Sequence, residues 1–212
     1  MFTRRNFTAS LGALAIATYA APAARAREPL GSALNVSEPF PLQPVDRSKI
    51  AKQFWRQIVQ DSSGEDPGVI IVDPEARYLW LVLEGGQALR YGVGVGREGF
   101  GWSGDAIIAR KAQWPTWTPP AEMIEREPRL REWARGMPGG PENPLGARAL
   151  YLYENGRDTL YRIHGTSEPW SIGQSVSSGC IRLLNEDVID LYRRVPVSSR
   201  VIVRSSGTQG VS

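Results

Sequence analysis

Cysteine and histidine are nearly absent: the 212 residues hold one of each, Cys180 and His164. A zinc site of the usual His/Cys kind cannot be assembled from one imidazole and one thiol. No cluster of acidic residues has ligand spacing, so no metal is expected. A lone cysteine forms no internal disulfide. Long apolar runs are lacking too. The stretch from Leu11 to Ala21 falls short of the roughly 18 residues that a membrane span needs, so no transmembrane segment is expected. There is no basic stripe of the kind that binds nucleic acid, and no G-x-S-x-G nucleophile elbow. One G-x-G-x-x-G match occurs, Gly94 to Gly99, but it runs on into Phe-Gly-Trp-Ser-Gly-Asp rather than a helix. It therefore argues for close-approach turns beside a groove and against a nucleotide site. No cofactor is implied.

What is present begins with export. Arg4 and Arg5, a mildly apolar stretch and the small-x-small triplet Ala24-Arg25-Ala26 make residues 1–26 a secretory signal peptide, to be removed outside the cytoplasm. Thr3 to Phe7, Thr-Arg-Arg-Asn-Phe, suits the twin-arginine route, and an ordinary secretory signal with two adjacent arginines is the alternative. The whole chain carries 25 basic and 22 acidic residues, a net +3. The signal holds Arg4, Arg5 and Arg25 and no acid, so the mature chain balances at 22 − 22 = 0. A single thiol in an oxidising compartment is either a pairing hazard or a working group.

Residues 27–66 read as a proline-rich linker followed by a short amphipathic helix over 48–60, with Ile50, Phe54, Trp55, Ile58 and Val59 on one face. From Pro67 the texture is β. The runs 69–73, 78–83 and 88–95 form an antiparallel meander, and 147–154 and 159–164 form a hairpin around Asn155-Gly156. A short helix is expected over 120–127, ended by Pro128. A second follows Asn185, read as its N-cap, with two acids in the first turn. A last strand covers 199–204, and 205–212 form a flexible tail. The sixteen prolines and 22 glycines fit this mainly β class of fold.

His164 closes a strand, and Cys180 lies sixteen residues on in a Gly/Ser-rich segment. A thiol is mostly protonated at neutral pH, and an imidazole beside it takes the proton and lowers its pKa as an ion pair. Gly179 before the cysteine lets backbone N–H groups turn to an oxyanion. Arg182 suits a carboxylate. Chemistry and spacing alone leave two readings open: a catalytic pair, or a buried apolar cysteine with an unrelated histidine.

The segment His164-Gly165-Thr166, then Ser177-Ser178-Gly179-Cys180-Ile181-Arg182, resembles the signature of the L,D-transpeptidase catalytic domain, the YkuD family. So do the following Leu-Leu-Asn-Glu-Asp and the upstream Arg90–Phe100 and Asn143–Leu152 segments. The resemblance covers about residues 67–204. Ser178 stands where many members have a histidine that is not the base. The resemblance implies a mainly β fold, a sandwich of mixed sheets with a few short helices. It implies that Cys180 attacks a peptidoglycan stem peptide and forms a thioester. His164 is then base and acid, the Gly165 carbonyl orients the imidazole, and the N–H groups of Gly179 and Cys180 hold the oxyanion. Arg182 binds substrate carboxylate or braces the site. Ser177 binds substrate or holds the loop. Of the aromatic set Tyr91, Trp102, Trp114, Trp117 and Trp170, the last is taken to line the groove. An amine acceptor gives a 3–3 cross-link. Water as acceptor gives a carboxypeptidase or release of a wall protein, and a protein acceptor gives attachment to the wall. A non-catalytic wall binder is the remaining alternative. Carbapenem-type inhibitors would acylate the thiol.

Overall fold

A computed structural model describes residues 37–97, 101–177 and 179–205. The expected signal peptide, the start of the linker, Ser178 and nearly all of the tail lie outside them.

Alternating apolar residues make the strands. β2 (Ile70–Asp73), β3 (Tyr78–Leu83) and β4 (Gln87–Gly92) pair antiparallel as the meander. β6 (Gly104–Gln113), β7 (Arg148–Glu154) and β8 (Arg157–His164) form a second antiparallel run. β11 (Arg200–Val203) joins the two, parallel to β2 and antiparallel to β6. With β1 (Gln57–Gln60) at one edge and β10 (Ile181–Arg182) at the other, one mixed nine-stranded sheet results, ordered β1-β4-β3-β2-β11-β6-β7-β8-β10. A small parallel pair, β5 (Val95–Gly96) with β9 (Ser175–Ser177), stands apart. Ile70, Leu79, Leu89, Tyr91, Ile108, Leu150, Ile163 and Ile181 share one core, so strands from both ends of the sheet curl around it. Among the described residues there are two α-helices, α1 (Ala121–Arg126) and α2 (Asn185–Arg194). α2 closes the core with Val188 and Leu191.

The helix expected over 48–60 is not formed. Two 3-10 turns, Arg47–Lys49 and Lys52–Phe54, lead into β1, which pairs with β4 from Gln57↔Arg90 to Gln60↔Gln87. An open edge on β4 outcompetes the weak helical periodicity of this short stretch. The described part of the expected linker and helix, from residue 38 to 56, lies against the domain as a strap. Phe54 and Ile50 pack with Ile172 and Leu184. Glu38 makes a buried ion pair with Arg148 and accepts from the Trp114 indole at 2.7 Å. Arg47 pairs with Glu186, and Arg56 lies 3.6 Å from Asp187 and 3.0 Å from Asp190.

Asn185 is not the N-cap of α2. Leu184 holds that position, and Asn185 is the first helical residue. Its side chain leaves the helix, accepting from the Ala147 N–H at 2.9 Å and donating to the Thr166 carbonyl at 3.0 Å.

Candidate active site

The parallel pair β8–β10 sets the register: Ile163 opposes Ile181, and His164 opposes Arg182. Ile163 and Ile181 point into the core, at 0% and 3% exposed. Period-two alternation then puts Arg162, His164, Cys180 and Arg182 on the opposite face. The fifteen residues between His164 and Cys180 carry the chain from the end of one strand back to the start of its parallel neighbour. The loop is tied down at several points. Gly165 N–H donates to Arg148, Glu168 N–H to the Thr166 hydroxyl, and Gly173 N–H to Val93. Gly94 exchanges two backbone hydrogen bonds with Arg182, at 2.9 and 2.8 Å, so the glycine segment runs alongside the site. The next described element after β5 is strand β6, and the end of the G-x-G-x-x-G match lies outside the described residues.

His164 is 4% exposed. Its Nδ1 lies 2.5 Å from the Gly165 carbonyl. A carbonyl can only accept, so Nδ1 carries the proton and Nε2 keeps its lone pair. A side chain on Gly165 has no room: a Cβ would lie 2.2 Å from Asn185 Oδ1. Burial, assisted by the positive charges of Arg182 and Arg162, pushes the imidazole down to about 3, so it is neutral at neutral pH.

Cys180 is partly buried. Its Sγ lies 4.0 Å from the Leu160 carbonyl, which accepts the thiol hydrogen. Burial pushes the thiol up, against the Arg162 amide and the charges of Arg162 and Arg182, which favour the thiolate. The resting pair is thus a neutral thiol and a neutral imidazole, not the ion pair expected from the residue types alone. Desolvation penalises both charged forms, and the arginines that favour the thiolate also disfavour imidazolium.

The turn before Cys180 is held by Ser177. Its hydroxyl donates to the Cys180 carbonyl at 2.7 Å and accepts from the Gly179 N–H at 3.2 Å. Ser177 is 2% exposed, so it braces the loop and is not placed to touch substrate. The same bond spends the Gly179 N–H, which removes that group from the expected oxyanion hole. The Cys180 N–H remains. Gly179 itself has φ 125°, a conformation that side chains disfavour, and this tight turn presents the cysteine.

Arg182 donates to Glu168 at 2.8 Å, while its Nε is buried with no partner among the described residues. Trp170 is 64% exposed in the 3-10 turn Pro169–Ser171. Of the other aromatics, Tyr91 and Trp114 are buried, Trp102 packs against the core, and Trp117 bridges to Met137.

Sequence reasoning missed four groups here. Arg162 lies near both Cys180 and His164, held by two hydrogen bonds of 2.7 and 2.8 Å to Asp158. Leu160, with φ 64°, sits in a bulge of β8. A leucine so placed carries strain on the order of 1 kcal/mol. Glu168 holds Arg182, and Asn185 holds the segment after His164. Only Asn185 left a signal, and that signal also fitted a helix cap.

Among the described residues no group of three or more His, Cys, Asp or Glu is placed to hold a metal, and no helix is long and apolar enough to cross a membrane.

Comparison with known proteins fits this geometry. Residues 67–203 match the L,D-transpeptidase catalytic domain. The chain is 37% identical over 139 residues to the probable L,D-transpeptidase YbiS of Escherichia coli, a match covering 63% of this chain and 43% of that one. It is 36% identical over 137 residues to the probable L,D-transpeptidase ErfK/SrfK of the same organism, covering 63% and 43%. The chain thus spans less than half the length of these curated relatives. A crystal structure from Brucella melitensis, titled a probable carnitine operon oxidoreductase, is 45% identical. It superimposes with a TM-score of 0.51 over 79% of this chain and 98% of that one.

Proposed function

The chain belongs to the L,D-transpeptidase catalytic-domain family, and from that premise we propose that it is an exported, periplasmic cell-envelope acyltransferase. It cross-links peptidoglycan stem peptides through a thioester on Cys180. The observation that carries this reading is the β8–β10 register, which sets Cys180, His164 and Arg182 on one face with the imidazole Nε2 unprotonated.

The Sγ attacks the carbonyl carbon between the third residue and the terminal D-Ala of a tetrapeptide. The thiol proton passes to His164 Nε2 as the C–S bond forms. The oxyanion is met by the Cys180 N–H. When the C–N bond breaks, His164 returns the proton to the departing amine of D-Ala, leaving a neutral thioester. An amine on a second stem then attacks. Its proton goes to His164 and from there to the sulfur, which leaves as thiol. Because both resting groups are neutral, proton transfer accompanies attack rather than preceding it. The Gly165 carbonyl holds the ring and steadies the transient imidazolium. Arg182, fixed on one side by Glu168, takes substrate carboxylate. Trp170, exposed in the loop between His164 and Cys180, offers an apolar surface for the substrate to rest on. A strained β-lactam carbonyl presents the same electrophile, so carbapenem-type drugs acylate the same sulfur.

Water in place of the amine makes the enzyme a carboxypeptidase or releases a wall-bound protein, and a protein amine makes it an attachment enzyme. Incubation with disaccharide-tetrapeptide, read by mass spectrometry beside Cys180→Ala, separates the first two outcomes. A Cys180-dependent dimer lacking one D-Ala supports cross-linking. Tripeptide without dimer overturns it in favour of hydrolysis.

A further inference from the structure

Strand β8 breaks its ladder at one place. Tyr151 opposes Arg162 and Tyr153 opposes Asp158, so Thr159, Leu160 and Tyr161 together face Leu152 alone. The bulge is fully tied. Asp158 accepts from the Leu160 N–H at 2.8 Å, and the Thr159 hydroxyl donates to the Leu152 carbonyl at 2.7 Å and accepts from the Tyr161 N–H at 3.2 Å. Asp158 is anchored in turn by Arg162. The net effect is to hold a leucine at φ 64°, its carbonyl on the nucleophilic sulfur and its side chain 75% exposed. A large apolar side chain left in water, on a strained residue whose carbonyl meets the sulfur, needs a use. Bulges beside active sites re-aim side chains in this way. Asp158 and Thr159, on the near side of Leu160, also wall an open cavity of about 440 Å³ with Trp102 and Glu154.

We propose that Leu160 is a positioning residue that covers the acyl-enzyme: its side chain packs over the Cys180 thioester and excludes water, so that the acyl group waits for an amine. The inference rests on the thioester reading above. It assigns to one residue the partition between transfer and hydrolysis. In the free protein the side chain is exposed because what it covers is the bound acyl group. In the acyl-enzyme, water attack at the thioester carbon would expel the sulfur as thiol and leave a carboxylic acid, and the leucine slows that step alone.

The test uses Leu160→Gly and Leu160→Asn, both of which tolerate a left-handed backbone, so the bulge and its carbonyl are kept. Acyl-enzyme is formed to completion with disaccharide-tetrapeptide, freed of substrate, and its lifetime followed by intact-protein mass spectrometry without an amine acceptor. The reading is independent of how fast acylation occurs. Lifetimes shortened about fivefold or more in both variants, with product shifted from dimer to tripeptide when acceptor is restored, are the expected result. Lifetimes equal to that of the unaltered protein overturn the role of Leu160 while leaving the thioester reading intact, as does a variant that no longer acylates. An unaltered protein that forms no acyl-enzyme overturns both together.

Discussion

The neutral resting pair makes a sharp prediction about pH. His164 is held at about 3, against an ordinary value of 6.5. An imidazole with an ordinary pKa is neutral in only about a tenth of molecules at pH 5.5, so a rate requiring it would fall about tenfold between pH 7.5 and 5.5. An imidazole at about 3 stays over 99% neutral across the same window, so the acylation rate should be flat. The fold should survive the assay. A depressed histidine contributes stability that is present above pH 6.5 and lost as pH falls toward 3. Burial outweighs the Arg56 cation 3.6 Å from Asp187 and pushes that carboxyl up to about 7. A raised carboxyl contributes stability that is complete below 3.8 and lost as pH rises toward 7. Each slope is about 1.4 kcal/mol per pH unit, and the signs oppose, so the two nearly cancel between pH 4 and 6.5. The assay is single-turnover acylation by a carbapenem, followed by intact mass from pH 5 to 8, with near-ultraviolet circular dichroism to show that packing is kept. A tenfold fall centred near pH 6.5, with the dichroism unchanged, would refute the neutral imidazole.

Three further outcomes follow from the same contacts. Asp187→Asn removes one of the opposed slopes, so chemical denaturation should show stability falling by about 1.4 kcal/mol per unit as pH drops from 6.5 to 4. Asn185→Ala removes two hydrogen bonds behind the His164 loop and should cost about 2–3 kcal/mol. It should lower kcat far more than it changes KM, and Asn185→Asp, which keeps the acceptor for Ala147, should recover only part of the loss. Glu38→Gln breaks the buried pair with Arg148, in which both side chains are almost fully covered. A loss of about 3–5 kcal/mol in urea unfolding is expected, and a loss below 1 kcal/mol would show that the strap is not bound as described.

The strands of the meander and the hairpin were legible because alternation and turn chemistry are local. Asn155 and Gly156 both take positive φ, at 49° and 76°, as the hairpin signal requires. Residues 48–60 misled because their apolar spacing fits a helix, while the partner that makes them a strand, β4, lies some thirty residues away. β6 went unread: its partners β7 and β11 are distant in sequence, and Asp105 and Arg110 are exposed where a buried strand would show apolar residues. At the site, residue types and spacing singled out Cys180, His164 and Arg182, which the fold sets side by side. They could not reveal that Gly179 spends its N–H on Ser177, since that depends on the path of one turn. Nor could they reveal Leu160, whose importance lies in a backbone angle and not in its chemistry.

The most direct test of the account is to trap the acyl-enzyme on disaccharide-tetrapeptide, digest it, and locate the added mass. The account predicts a tripeptide-bearing adduct, short of one D-Ala, on the peptide containing Cys180, lost in Cys180→Ser and formed far more slowly in His164→Ala. An adduct on another residue, or an undiminished rate in His164→Ala, would contradict it.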